Sequence, residues 1–259
     1  MDGVIGDLAA TVTRWRLWWL LGMQDIRMRY RRSAIGPFWI SISMAATVFG
    51  IGLLYSQIFA LEFKQYLSYL GAGFLVWGFI SMNTTEAGGV LIEAENHLRS
   101  ARISPSIFAA QMVHRNLIVF VHNLVVIAIL LVYCGVSPTP ALLAAPVGVL
   151  ILSALGFFTA LTLGPICLRY RDLIQIVMNF VQITFFLTPI LWMPSQGRID
   201  PLWVKLNPFY HLVEIVRQPI LGAYPSLENW AYSLGALVVV AMTALFSLAL
   251  SRRKIFVWL

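Results

Sequence analysis

Residues 36–59, GPFWISISMAATVFGIGLLYSQIF, run without a single Asp, Glu, Lys or Arg. As a helix this stretch is about 36 Å long, enough to cross a bilayer whose hydrocarbon core is about 30 Å thick. Five more segments of similar character follow, at 66–92, 108–133, 141–166, 173–193 and 230–250. The pattern predicts an all-α, polytopic membrane protein with six transmembrane helices, built as one domain over residues 1–259. Glycine and proline inside these segments (Gly50, Gly52, Gly71, Gly73, Pro146, Gly148, Gly156, Pro165) suit membrane helices, where small residues let neighbours approach closely.

Composition supports the same class. Hydrophobic residues make up 59% of the 259 residues and charged residues 11%, with a mean hydropathy of +0.81. A soluble domain carries about a quarter charged residues. The net charge of +7 would fit a nucleic-acid partner, but the basic residues sit beside the apolar spans, where they mark the cytoplasmic side. With the N-terminus inside, the inner segments hold Arg14, Arg16, Arg27, Arg29, Arg31, Arg32, Arg99, Arg102, Arg115, Arg169, Arg171, Arg252, Arg253 and Lys254. The outer side keeps Lys64, Arg198, Lys205 and Arg217. Both termini are therefore expected in the cytoplasm, with the chain multi-pass in a bacterial inner membrane.

Two stretches outside the spans are amphipathic. In 14–32, Trp15, Trp18, Trp19, Gly22, Met23, Ile26 and Tyr30 share one helical face, while Arg14, Asp25, Arg29 and Arg32 share the other. Tryptophan opposite arginine reads as a helix lying in the headgroup layer, with Arg27 also on its basic flank; an ordinary basic flank to the first span is the alternative. The segment 194–229 is too apolar for a solvated loop, yet Pro208 and Pro219 bar one continuous helix. It reads as two short helices at the outer surface or re-entering it, or as a surface loop with a chance pattern. Glu214 and Arg217, three residues apart, share a face there.

Catalytic signatures are missing. No Gly is followed by Lys, so there is no phosphate-binding P-loop, and no G-x-S-x-G, H-E-x-x-H or C-x-x-C occurs. His97, His114, His122 and His211 are scattered, no metal site is expected, and Cys134 and Cys167 fall at opposite ends of one predicted span, beyond disulfide reach. Polar groups inside the spans are the informative remainder, because hydrocarbon tolerates them only when paired or facing water. Glu86 and Arg115 fall at similar depth on helices joined by a short connection, and are a candidate intramembrane pair with either a clamping or a transport role. Among the many aromatic residues, Trp39, Tyr55, Phe59, Phe185 and Trp192 are candidates for a central path on which sugar rings stack, with core packing as the alternative for each.

Four stretches, in this order and spacing, carry a resemblance. They are DIRMRYRRSAIGPFW (25–39), EAENHLRSARISP (93–105), FVHN (120–123) and NPFYHLVEIVR (207–217). Together they resemble the permease subunit of ABC-2 type exporters, in particular those exporting O-antigen or capsular polysaccharide on a lipid carrier. The resemblance implies a cytoplasmic interface helix at 14–32 and a coupling helix at 93–105, with Glu93, Glu95, Asn96, Arg99 and Arg102 meeting a separate ATPase subunit. It also implies periplasmic gate helices within 194–222 that include Phe209, Tyr210, Glu214 and Arg217. Two permeases and two ATPase subunits would form the exporter, ATP and Mg being bound by the partner, no cofactor by this chain, and the lipid-linked polymer passing between the permeases. After 36–39 the chain continues Ile-Ser-Ile-Ser-Met, without the proline many ABC-2 permeases carry early in this span, which looks like the O-antigen branch. A permease for another cargo (capsule, teichoic acid, drug or lipid) and a membrane-embedded transferase are the alternative functions.

Overall fold

The structure is a computed structural model that describes residues 2–31, 38–101, 103–194, 200–252 and 254–258. It contains α1 (Asp2–Thr13), α2 (Trp15–Tyr30), α3 (Phe38–Ile58), α4 (Phe63–Ala87), α5 (Val90–Glu93), α6 (Glu95–Ala101) and α7 (Pro105–Cys134). After a 3₁₀ turn at Pro140–Ala144 come α8 (Ala145–Arg169), α9 (Leu173–Leu187), α10 (Pro201–Leu206), α11 (Pro208–Ile220), α12 (Leu227–Ser251) and α13 (Ile255–Trp258). There is no strand among the described residues. Among the described residues, four helical segments are long and apolar enough to cross a membrane: Phe38–Ile58, Pro105–Cys134, Pro140–Arg169 and Leu227–Ser251. α4 is as long as α12 but carries Lys64, Gln65, Asn83, Thr84, Thr85 and Glu86, and α9 has only 15 residues.

Local chemistry sets the boundaries. Glu62 caps α4 by accepting from the N–H groups of Lys64 and Gln65 at 3.1 and 2.7 Å, filling donors that a helix start leaves open. Asp200, Asn207 and Ser226 do the same for α10, α11 and α12. Prolines at the first turns of α7, α10 and α11 fit positions that need no N–H donor. α7 ends at Gly135, whose φ of 80° is the left-handed conformation that lets its N–H return to the carbonyls of Leu131 and Val132.

Several boundaries depart from the sequence expectation. Residues 2–13 form a helix of their own, broken from α2 at Arg14. The helix expected over 66–92 ends at Ala87, where Gly88 and Gly89 turn the chain into α5. The one expected over 173–193 ends at Leu187, because a residue preceding proline is pushed out of the α region and Thr188 before Pro189 is extended. The segment 194–229 does hold two short helices, α10 and α11, with Pro219 accommodated in the last turn of α11.

α8 is the central strut. It packs on α12, α4, α7 and α11, and it gets close through glycine. A β-carbon at Gly148 would lie 2.7 Å from the Ile215 carbonyl oxygen of α11, and one at Gly156 would lie 2.8 Å from the Asn83 amide carbon. Gly164 similarly faces Val90 and Leu91. Gly50, by contrast, has nothing within 4 Å. Gly148→Ala should therefore destabilise the protein by about 1–3 kcal/mol, the usual effect of overpacking against a fixed backbone, while Gly50→Ala should be close to neutral. Thermal unfolding of the two detergent-purified variants checks this; equal midpoints would contradict the α8–α11 contact.

Candidate functional site: two charge clusters and an outward amide stripe

Arg115 on α7 anchors the first cluster. Its Nη2 donates to Glu86 Oε2 at 2.8 Å and its Nη1 to Asp25 Oδ2 at 3.2 Å, with Glu93 Oε2 at 3.9 Å. Gln111 Nε2 donates to the same Asp25 oxygen at 2.7 Å, and Arg29 Nη2 lies 3.7 Å from Glu86. Three carboxylates and two guanidinium groups thus join α2, α4, α5 and α7. Arg115 is buried, so these partners supply what water would otherwise give it. Although two thirds of the Glu93 side chain is open to solvent, the protein around it raises its pKa, with Glu86 and Asp25 adding to the rise and Arg115 opposing it.

Asp25, which periodicity groups with Arg14, Arg29 and Arg32 opposite the tryptophans, points into the protein, where Arg115 and Gln111 reach its carboxylate. Ile26 is buried and Gly22 lies against His114. Trp19 stacks on the His114 ring at 4.3 Å and Trp18 meets it edge-on at 5.4 Å. Trp18 also donates to the Thr11 carbonyl of α1 at 2.8 Å. Trp15, Leu20, Arg27, Met28 and Arg29 remain exposed; the side chain of Tyr30, and Arg32, lie outside the described residues.

α6 hangs from α5 beside this cluster. Fully buried Leu98 fastens it, and Arg99 bonds Glu95 at 2.9 Å across one turn. Asn96, Arg99 and Ser100 face outward; Arg102 lies outside the described residues. α1, which nothing in the residue pattern announced, braces the same end: Asp7 bonds Ser104 at 3.1 Å and Arg252 at 2.8 Å.

The second cluster sits at the opposite end, around Arg217 on α11. Arg217 is 1% exposed; it donates to the Pro189 carbonyl at 2.6 Å and to the Glu214 carboxylate, and stacks 4.1 Å over the Tyr69 ring. Tyr69 donates to the same carbonyl at 2.8 Å, and Tyr66 to that of Leu191 at 2.6 Å. His211 ties the α10–α11 corner to Asn229 of α12 and to the Lys205 carbonyl.

The nine candidate path or gate residues do not converge within one chain. Tyr210, Glu214 and Arg217 border a cavity of about 580 Å³. Phe185 and Phe209 pack around Trp77, with ring centroids 5.8 and 5.9 Å away. Tyr55, Phe59 and Tyr66 form an edge-to-face chain, Trp192 donates to the Phe186 carbonyl at 3.3 Å, and Trp39 is exposed. The residue pattern also carries an amide repeat: Gln175, Asn179 and Gln182 recur at i, i+4 and i+7 on α9, and all three are exposed. They point away from buried Val181 and Thr184, and Gln175 donates to Asn179 at 3.0 Å.

Comparison with known proteins places this architecture. Residues 16–221 match the ABC-2 type transporter family, a stretch that runs from α2 through α11 and takes in both charge clusters. The chain belongs to the ABC-2 type transporter family. It is also 28% identical over 243 residues to the O-antigen export system permease protein RfbA of Myxococcus xanthus, covering 91% of this chain and 92% of that one. An ABC-2 permease is a transporter subunit, and the ATPase activity lies in a separate one; the transferase reading falls away.

Within this permease, Asp25→Asn or Glu86→Gln should each leave Arg115 one close carboxylate, whereas the double variant strips both. Breaking a buried pair typically costs about 3–5 kcal/mol, so the double variant should lose more than the sum of the singles. Exchanging Glu86 and Arg115 should not restore stability, because the new glutamate would face Asp25. Thermal midpoints of the four variants measure this, and strict additivity would dismiss the shared cluster.

Proposed function

We propose that the chain is the permease of an ATP-driven exporter that moves a lipid-linked polysaccharide, most specifically O-antigen, out across the bacterial inner membrane. Two copies assemble with two ATPase subunits. Each crosses six times, with both termini in the cytoplasm, so that the α6 end is cytoplasmic and the α10–α11 end periplasmic. α4 and α9 supply the two additional crossings. α4 is about 37 Å long at helical rise; α9 is about 22 Å and is extended by 188–193, irregular backbone that a membrane protein tolerates where protein satisfies it. Tyr66, Tyr69 and Arg217 do so here.

The outward amide stripe of α9 carries the reading. Three amides facing lipid would each lose hydrogen bonds that hydrocarbon cannot replace. Facing a second copy across a hydrated path, they meet water and sugar hydroxyls instead. The cargo is supported by the likeness, along nearly the whole of both chains, to a protein named as an O-antigen export permease. α6, held by Leu98 and continuous through α5 with the Arg115 cluster, is the element placed to take a push from the ATPase, with Glu93, Glu95, Asn96, Arg99 and Arg102 at that contact.

Reconstituted without its ATPase subunit the chain should hydrolyse no ATP, and with it the complex should export polysaccharide. Arg99→Glu with Arg102→Glu should leave hydrolysis in the complex running while export falls roughly 5- to 150-fold, the span of a coupling free energy of 1–3 kcal/mol. Unchanged export would remove α6 from the coupling role, and transport of a different cargo class with no polysaccharide moved would overturn the substrate assignment.

A further inference from the structure

The cavity beside Arg217 has the features of a binding site, and its chemistry narrows the ligand. It lies between the start of α4, the residues following α9, and α11. Its volume of about 580 Å³ sits within the roughly 300–1,000 Å³ of small-molecule pockets. Among the described residues of its lining, Arg217 and Glu214 are the only Lys, Arg, Asp or Glu, and they are bonded to each other. An anion would find the guanidinium already taken and a cation would find the carboxylate taken.

Neutral hydrogen-bonding groups remain open. The side-chain amides of Gln65 and Gln218 and the hydroxyl of Tyr210 line the cavity without a hydrogen-bond partner among the described residues. Tyr69 and Tyr210 add aromatic surface, which suits the apolar C–H faces of a pyranose. We propose that this cavity binds an uncharged sugar unit, at a site within a single permease and distinct from the path between copies. This rests on the polysaccharide-export reading and adds to it a point where the chain holds its cargo at the α10–α11 end.

A cysteine test resolves it. In a Cys134→Ala, Cys167→Ala background, Gln218→Cys is labelled by a membrane-impermeant thiol reagent in cells that make the polysaccharide and in cells that cannot. Tyr224→Cys, exposed and outside the cavity, is the control. Labelling of Gln218→Cys should slow about tenfold when cargo is present, the effect of a site about nine-tenths occupied, while the control stays constant. Equal labelling with export running overturns the site but leaves the export reading intact, and slow labelling without cargo overturns it by showing that protein fills the cavity. If the wild-type complex moves no polysaccharide, the export reading fails by itself. The cavity is then judged by labelling of the purified complex with neutral maltotriose, where absent protection overturns it. As an independent arm, Gln65→Ala with Gln218→Ala removes no internal hydrogen bond, so the thermal midpoint should hold while export falls about two- to tenfold, the loss expected of one hydrogen bond. Unchanged export in that variant counts against the site.

Discussion

The chain that leaves α9 after Leu187 inside an apolar bundle carries carbonyl groups, at Pro189 and Leu191, that lipid cannot satisfy. Three side chains from two other helices bond them: Tyr66 and Tyr69 from α4 and Arg217 from α11. Because Arg217 is itself charged and buried, it in turn requires Glu214 and the ring of Tyr69. The placement of α11 against α4, and with it the corner that α10 and α11 make, follows from satisfying one interrupted backbone. The cavity beside Arg217 is a consequence of the same arrangement.

The opposite end answers a different need. Arg115 sits in an apolar helix near its start, and three carboxylates from three separate elements converge on it. Such a buried cluster gains little over well-packed hydrophobic residues, but loses much when broken. Its value lies in geometry: α2, α4, α5 and α7 cannot move independently without parting charges. α6 follows α5 directly and is joined to the bundle both by the apolar packing of Leu98 and by the ion pair that Glu93 of α5 shares with Arg115.

Between these ends the helices are held by ordinary apolar packing, sharpened where α8 presents glycine. Gly148, Gly156 and Gly164 each face a different neighbour, so one helix is brought close to α11, α4 and α5 in turn. The bundle is well filled on that side and open on the other, where α3 and α9 show exposed surface. α3 carries one exposed amide, Gln57, near its end, whereas α9 repeats them along one face at Gln175, Asn179 and Gln182.

Much of the architecture was legible from residue order. Length and the absence of charge mark the apolar helices, since a bilayer imposes both. Pro208 and Pro219 mark the division of 194–229 into short helices because proline bars one continuous helix. Depth along neighbouring spans brought Glu86 and Arg115 together, as the short connection between their helices leaves little freedom. Depth says nothing about azimuth, however. It could not show that Asp25 turns inward to the same arginine, since helical periodicity sorts residues into faces without saying which face the rest of the chain will cover. Nor could it show that α1 would find Ser104 and Arg252, or that Pro189 would end α9 early and draw Arg217 to its carbonyl. Those depend on partners more than 25 residues away in the chain, and only packing in three dimensions brings them within hydrogen-bond reach. The residues alone thus determined a membrane bundle and the rough extent of its long apolar helices, while tertiary structure decided which polar groups are paired and which face an open cavity, because a hydrogen bond needs about 3 Å between partners and sequence separation does not measure that distance.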